Sequence, residues 1–332
     1  MIISRAPVRV SFFGGGTDYP EYFLQEGGCV LATAIDKYCY ITASRFMSKL
    51  FDYSIRVSYR KVELVEDLAT LEHNVYRECL KFCGLDKDIE LHAVADLPAF
   101  TGLGSSSTFT VSLLQALHCF KGDFLSPFEL ACEAIHVERN ILGDRVGCQD
   151  QIMAAFGGFN LIEFRTEKDF QVRRVPIAPP RREQFEQSLV LVFTGIRRKA
   201  SEMVAKQLNR VQSNLETLRG MRAMAYEGYD ILTDSRRPLG EFGELLHQAW
   251  CAKRSLEASI SNTEIDEMYE RGRQAGALGG KLLGAGGGGF ILFFAPPKAH
   301  ARIRRVFKDY PTLSFQLDAP GAQTIFSQPV TC

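Results

Sequence analysis

Apolar and polar positions alternate along three runs in the first half of the chain. Pro7 to Phe13, Cys29 to Ser44 and Ile89 to Ala95 carry β-branched and aromatic residues in this rhythm, which predicts strands. Between the second and third the spacing becomes helical: Leu64, Leu68, Leu71, Val75 and Leu80 mark a helix over Val62 to Cys83, stopped by Gly84. Ser107 to Phe120 and Pro127 to Leu142 read as further helices, the second opened by the cap and first-turn proline of Ser126-Pro127. Phe159 to Phe164 reads as a strand.

The patterning then breaks. Pro176, Pro179, Pro180, Arg181 and Arg182 make Val175 to Gln187 polar and proline-broken, the signature of a linker. It divides the chain into a unit at 1–180 and another at 188–332. The second unit opens with a strand, Ser188 to Thr194, and continues through long helices between Ala200 and Gly279. A glycine-rich segment leads into strand Phe290 to Phe294, and a last strand is expected at Leu313 to Leu317. This is an α+β pattern in two domains, with no internal repeat.

Composition narrows the function classes. At 332 residues the chain suits two domains of roughly 150 residues. Its 46% hydrophobic residues are enough for two cores without disulfides or a structural metal. The 39 basic residues cancel the 39 acidic ones, so nothing suggests a nucleic-acid partner. Nine scattered cysteines, an odd number with no CxxC pair, predict free thiols in a reducing compartment. No signal peptide is read at the N-terminus, and no apolar run approaches the ~20 residues that span a bilayer. No membrane and a cytoplasmic location are therefore expected. A homodimer is compatible with all of this.

Three glycine-rich segments and two carboxylates carry the candidate chemistry. In Pro98-Ala99-Phe100-Thr101-Gly102-Leu103-Gly104-Ser105-Ser106-Ser107 the glycines permit a tight turn and the serines stand at a helix start. Free N–H groups there suit a phosphate, and a serine hydroxyl suits Mg²⁺. A serine-capped helix behind a turn is the plainer reading. Gly284 to Gly289 formally matches GxGxxG, but a strand follows where a dinucleotide site needs a helix. Either a close backbone approach or a flexible hairpin explains it. Gly14-Gly15-Gly16-Thr17-Asp18-Tyr19 ends the first strand, and Asp18 would accept from sugar hydroxyls unless the segment is a simple turn. Glu138, in a helical run, and Asp150, before a small-residue segment, stand beside these loops; alone, each reads as a solvated surface charge rather than a site residue.

Together these segments resemble the GHMP kinases, the family of galactokinase, homoserine kinase, mevalonate kinase and phosphomevalonate kinase. APVRVSFFGGGTDY, GLGSSS and KLLGAGGGGF occur in the family's order and cover nearly the whole chain. The resemblance implies a ribosomal-protein-S5-like α/β domain followed by a ferredoxin-like α+β domain. It implies that Gly102, Leu103, Gly104, Ser105, Ser106 and Ser107 cradle the triphosphate of ATP, with Ser106 and Glu138 on Mg²⁺. Asp150 matches the family's base, and Arg9 matches an arginine paired with that aspartate and the transferring phosphoryl group. The resemblance also implies that the glycines from Gly284 to Gly289, Gly286 and Gly287 among them, support the active-site floor between nucleotide and acceptor.

The acceptor side is distinctive. Galactokinase-like members carry GEHTDY where this chain has GGGTDY, so Gly15 and Gly16 replace two galactose-lining side chains while Thr17 and Asp18 are kept. This version resembles bacterial family members that phosphorylate the anomeric hydroxyl of a heptose 7-phosphate. The chain departs from that group at Ala99-Phe100-Thr101. A sugar phosphate is thus the expected small-molecule partner, with an isoprenoid alcohol acceptor and a non-catalytic sugar sensor as the competing readings. Thr194-Gly195-Ile196-Arg197-Arg198-Lys199 opens a helix, and Arg198, helped by Arg197 or Lys199, is either a grip on a distal phosphate or part of a solvated basic patch or interdomain salt bridge.

Overall fold

The alternation at Pro7 to Phe13 belongs to a longer strand, β1 (Ile2–Phe13), in a computed structural model that describes residues 1–197 and 201–328. After α1 (Pro20–Glu26) comes the 18-residue β2 (Gly28–Arg45), which pairs antiparallel with β1. The helix expected over Val62 to Cys83 is largely absent. A hairpin of β3 (Ile55–Ser58) and β4 (Val62–Val65) replaces its first part, and only α2 (Asn74–Phe82) is helical. Local polar groups interrupt the helix. The Glu63 carboxylate accepts from the backbone N–H groups of Glu72 and His73, Asp67 caps a short turn, and His73 Nδ1 caps α2.

β5 (Ile89–Ala95) pairs with β2 and leads to α3 (Ser105–Lys121). The predicted helix from Pro127 divides into α4 (Pro127–His136) and a π-turn, Val137–Ile141. Such turns widen the backbone and re-aim side chains. α5 (Gln149–Phe156), β6 (Phe159–Phe164) and β7 (Phe170–Arg174) complete most of the first sheet. The proline-broken stretch is no open linker: Pro179 starts α6 (Pro179–Glu186), whose Phe185 is fully buried. Proline at the first helical position costs no hydrogen bond, so the sequence signal was a helix start.

The second sheet is built from β8 (Leu189–Phe193), β9 (Gly279–Leu282), β10 (Phe290–Phe294) and β11 (Thr312–Leu313). α7 (Ser201–Leu208), α8 (Leu215–Thr233), α9 (Gly240–Leu256) and α10 (Thr263–Gln274) precede β9, and α11 (Pro297–Val306) follows β10. The antiparallel order β11-β8-β10-β9 is the ferredoxin-like arrangement. The strand expected at Leu313 to Leu317 is short: Leu317 instead bridges Ile35 of β2. From there the chain crosses to the first sheet, where β12 (Gln323–Ser327) pairs with β1. The first sheet runs β12-β1-β2-β5-β3-β4, with β6 and β7 branching from β2.

An aromatic seam joins the two units. Phe12 of β1, Phe185 of α6 and Phe242 of α9 pack with ring centroids 4.8 to 5.5 Å apart, and Phe159 and Phe294 extend the cluster. Each such pair adds about 0.5–1.5 kcal/mol beyond area burial. The described cysteines are free thiols, and no described helix is long and apolar enough to cross a membrane.

Candidate active site

The ends of β1, α3, α5 and α9 converge with the β9–β10 loop on one cleft. At its phosphate side Gly104 caps α3 in the left-handed region, φ 77°, with no side chain satisfying the first N–H groups. The first helical bond is donated by Thr108 to the Gly104 carbonyl, which leaves the N–H groups of Ser105, Ser106 and Ser107 at an open helix start. Ser105 and Ser106 line the cleft, whereas Leu103 is fully buried and anchors the loop in the core. Phe100 also sits in the left-handed region, φ 64°, with its ring exposed at the cleft.

Arg9 and Asp150 meet as the motifs suggest. The guanidinium donates from Nε to Asp150 Oδ1 at 2.8 Å and from Nη2 to Oδ2 at 2.9 Å. Its remaining Nη1 donates to the Gly102 carbonyl at 2.7 Å, so one side chain fixes both the carboxylate and the phosphate loop. A Cβ at Gly104 would lie 3.1 Å from Asp150 Oδ2, so glycine there makes room for the carboxylate.

Glu138 is buried by the π-turn. Ser107 donates to its Oε2 at 2.8 Å and Gln151 also donates to that oxygen, while Oε1 is buried without a partner. Burial raises the carboxyl to about 7 against the hydrogen bonds from Ser107 and Gln151. The serine that touches Glu138 is therefore Ser107, while Ser106 is exposed at the helix start. Among the described residues no cluster of three or more His, Cys, Asp or Glu forms a cation cage.

On the opposite side Asp18 is buried, accepting from the Gly16 N–H at 2.9 Å and from Gln149 Nε2 at 2.9 Å. Burial raises its carboxyl, and the Asp150 charge adds to the rise. Gly15, Gly16 and Gly286 line the cleft. Thr17 does not: its hydroxyl pins the loop by donating to the Gly14 carbonyl at 2.9 Å and accepting from Cys29 N–H at 3.1 Å. Gly287 is likewise structural, donating its N–H to the Ile260 carbonyl at 2.9 Å. Arg198 lies outside the described residues.

The motifs did not single out Lys253 and Lys281, both buried and both lining the cleft. Lys253 of α9 donates to the Gly284 carbonyl and Lys281 of β9 to the Phe12 carbonyl. Burial lowers Lys253 to about 8, helped by the Arg9 charge and opposed by Asp18 and Asp150. Lys281 is pushed well below the usual lysine range, chiefly by burial. Lys281 stood inside KLLGAGGGGF and was there to be found, whereas Lys253 sits in an ordinary Lys-Arg pair.

An open helix start facing a paired arginine and aspartate, in an α/β unit joined to a ferredoxin-like unit, defines a small-molecule phosphotransferase. Residues 64–158 match the GHMP kinases N terminal domain and residues 233–311 match the GHMP kinases C terminal domain. The chain is 31% identical over 319 residues to D-glycero-alpha-D-manno-heptose 7-phosphate kinase of Campylobacter jejuni, covering 93% of this chain and 94% of that one. A D-glycero-D-manno-heptose 1-phosphate kinase from Bacteroides thetaiotaomicron superposes with a TM-score of 0.79 at 27% identity, covering 99% of this chain and all of that one. A galactokinase of Lactococcus lactis in complex with galactose shares the fold alone, at 20% identity, with a TM-score of 0.74 and coverage of 98% and 95%. The chain belongs to the GHMP kinases, which use ATP as phosphate donor.

Proposed function

We propose that this kinase transfers the γ-phosphoryl group of ATP to the anomeric hydroxyl of D-glycero-D-manno-heptose 7-phosphate, giving the 1,7-bisphosphate and ADP. The observation that carries the reading is the Arg9–Asp150 pair between the open start of α3 and the glycine floor at Gly15 and Gly16. Asp150 accepts the hydroxyl proton as the sugar oxygen bonds to phosphorus and the bond to the ADP oxygen breaks. Arg9 holds the carboxylate in place and lends charge to the transferring group. Lys253 adds positive potential where phosphates gather.

The residues fit a magnesium ion. Glu138 Oε1 is a buried, unpartnered hard oxygen, and the Ser106 hydroxyl is free at the helix start. Ser106 and Glu138 would hold Mg²⁺, with Ser107 and Gln151 orienting the carboxylate. Bound there, the ion neutralises charge on the nucleotide phosphates. The heptose acceptor draws support from the relative in Campylobacter jejuni and from the side-chain-free Gly15 and Gly16. Arg198 is the proposed grip on the distal phosphate.

The test is ADP release with a panel of sugars, sugar phosphates and isoprenoid alcohols. Turnover dependent on the heptose 7-phosphate is expected, and Arg198→Ala should raise KM for it far more than for the dephosphorylated sugar. Turnover confined to an isoprenoid alcohol overturns the sugar reading, and sugar binding without turnover makes the protein a sensor.

A further inference from the structure

The three consecutive glycines of the first motif are not equivalent. Gly14 has φ 81°, and a Cβ there would lie 1.8 Å from the Cys29 carbonyl oxygen, so the fold demands glycine. Gly16 has φ 110° and is likewise in glycine's own region. Gly15 is in neither situation. Its φ is not among the positive ones, and the nearest atoms to a Cβ would be Ser11 Oγ at 3.7 Å and Gln149 Nε2 at 3.8 Å, ordinary contacts. The backbone does not need glycine at 15; what glycine leaves there is a notch in the cleft wall.

Two polar atoms border that notch. Ser11 and Gln149 are only 4% and 8% exposed, and both line the cleft. Ser11 Oγ and Gln149 Oε1 are buried without a hydrogen-bond partner among the described residues. The orientation of the Gln149 amide follows from chemistry. Its NH₂ donates to the acceptor-only Asp18 carboxylate at 2.9 Å, which leaves the oxygen on the other side. Leaving buried polar atoms unpaired is unfavourable, so Ser11 Oγ at the notch and Gln149 Oε1, on a residue lining the same cleft, point to a ligand that pairs them. An amide oxygen accepts and a serine hydroxyl both donates and accepts, which suits hydroxyl groups of a sugar.

We infer that the notch over Gly15 receives a hydroxyl-bearing edge of the acceptor, and that Ser11 and Gln149 set acceptor specificity. Asp18 is then a positioning residue that fixes the Gln149 amide. This inference rests on the sugar-kinase reading above and adds to it the residues that read the sugar.

The experiment measures initial rates with ATP, Mg²⁺ and the heptose 7-phosphate for wild type, Ser11→Ala and Gly15→Ala, with a melting curve for each. Ser11→Ala removes only an unpaired hydroxyl, and Gly15→Ala adds one methyl in a permitted backbone region, so neither should melt lower than wild type. Acceptor KM should rise roughly three- to tenfold in Ser11→Ala, the effect of one lost hydrogen bond. It should rise at least as much in Gly15→Ala, with the KM for ATP unchanged in both. Acceptor KM within twofold of wild type in both variants overturns the inference, as does a parallel rise in the KM for ATP. A wild type active on the sugar whose variants behave in either way refutes the inference alone. A wild type inert toward every sugar and sugar phosphate refutes the proposed function and the inference together.

Discussion

Gly102 and Gly284 stand back to back. A Cβ on Gly284 would meet Gly102 Cα at 2.5 Å, and one on Gly102 would meet the Leu283 carbonyl oxygen at 2.4 Å. The phosphate loop and the β9–β10 loop, 182 positions apart in sequence, thus touch through bare backbone, and Arg9 and Lys253 tie down one carbonyl from each. Both glycines also have φ near +80°. Their contact sets the spacing between the two halves of the site.

Gly102→Ala should therefore lower both stability and nucleotide binding. Left-handed backbone and a blocked contact together cost on the order of 1–3 kcal/mol. Chemical denaturation and the KM for ATP should both shift; an unchanged pair of values would show that the loops give way easily.

Asp150→Asn should reduce turnover by about a hundredfold or more, the scale of a lost general base, with little change in ATP affinity. Steady-state kinetics with a nucleotide-binding measurement separates the two quantities. Near-normal turnover would remove Asp150 from proton transfer.

Lys253 predicts an alkaline limb. Its folded value, about 8, lies below the ordinary 10.5, so the ammonium in the cleft is lost as pH rises through about 8. kcat/KM should fall above that pH, and Lys253→Arg, which stays charged, should abolish or move the limb. The sign for stability is opposite: between about 8 and 10.5 the unfolded chain holds the extra proton, so this group's contribution rises with pH. A pH–rate profile unaltered in the arginine variant would clear Lys253 of the role.

Ser106→Ala and Glu138→Gln should each raise the Mg²⁺ concentration needed for half-maximal rate, because each removes an oxygen ligand from a hard cation. Ser107→Ala separates ligand from support. It should have a smaller effect, since Ser107 contacts Glu138 and can orient it without touching the ion. If Ser107→Ala shows the larger shift, the two serines exchange roles.

The glycine motifs and Arg9 were legible because the phosphate loop and the ion pair depend on residue type at fixed sequence positions. What escaped depends on tertiary placement. The apolar spacing from Leu64 to Leu80 mimicked one helix, because it cannot register that Glu63 folds back onto Glu72 and His73. Ser106 and Ser107 are indistinguishable in a run of serines; only the turn of α3 decides which faces Glu138. Lys253 and Gln149 carry no local signal, since only the fold brings each into the cleft beside Asp18 and Asp150. The proline cluster at Pro179 reads equally as a linker or a helix start, and the buried Phe185 decides between them.

The return of β12 to the edge of β1 has a mechanical meaning. Met1 and Gln328 are hydrogen-bonded to each other, so the strand after the second unit returns to the first residue of the first. The ferredoxin-like unit is consequently held by two covalent tethers, one through α6 and one through the segment from Leu317 to β12. A unit on one tether swings freely, but a unit on two turns like a door on a pair of pins, about the line that joins them. Any movement of this unit against the first is then a rotation about that line. Cutting the chain just before Leu317 would remove one pin, leaving α6, the aromatic seam and the glycine contact to hold the site in register.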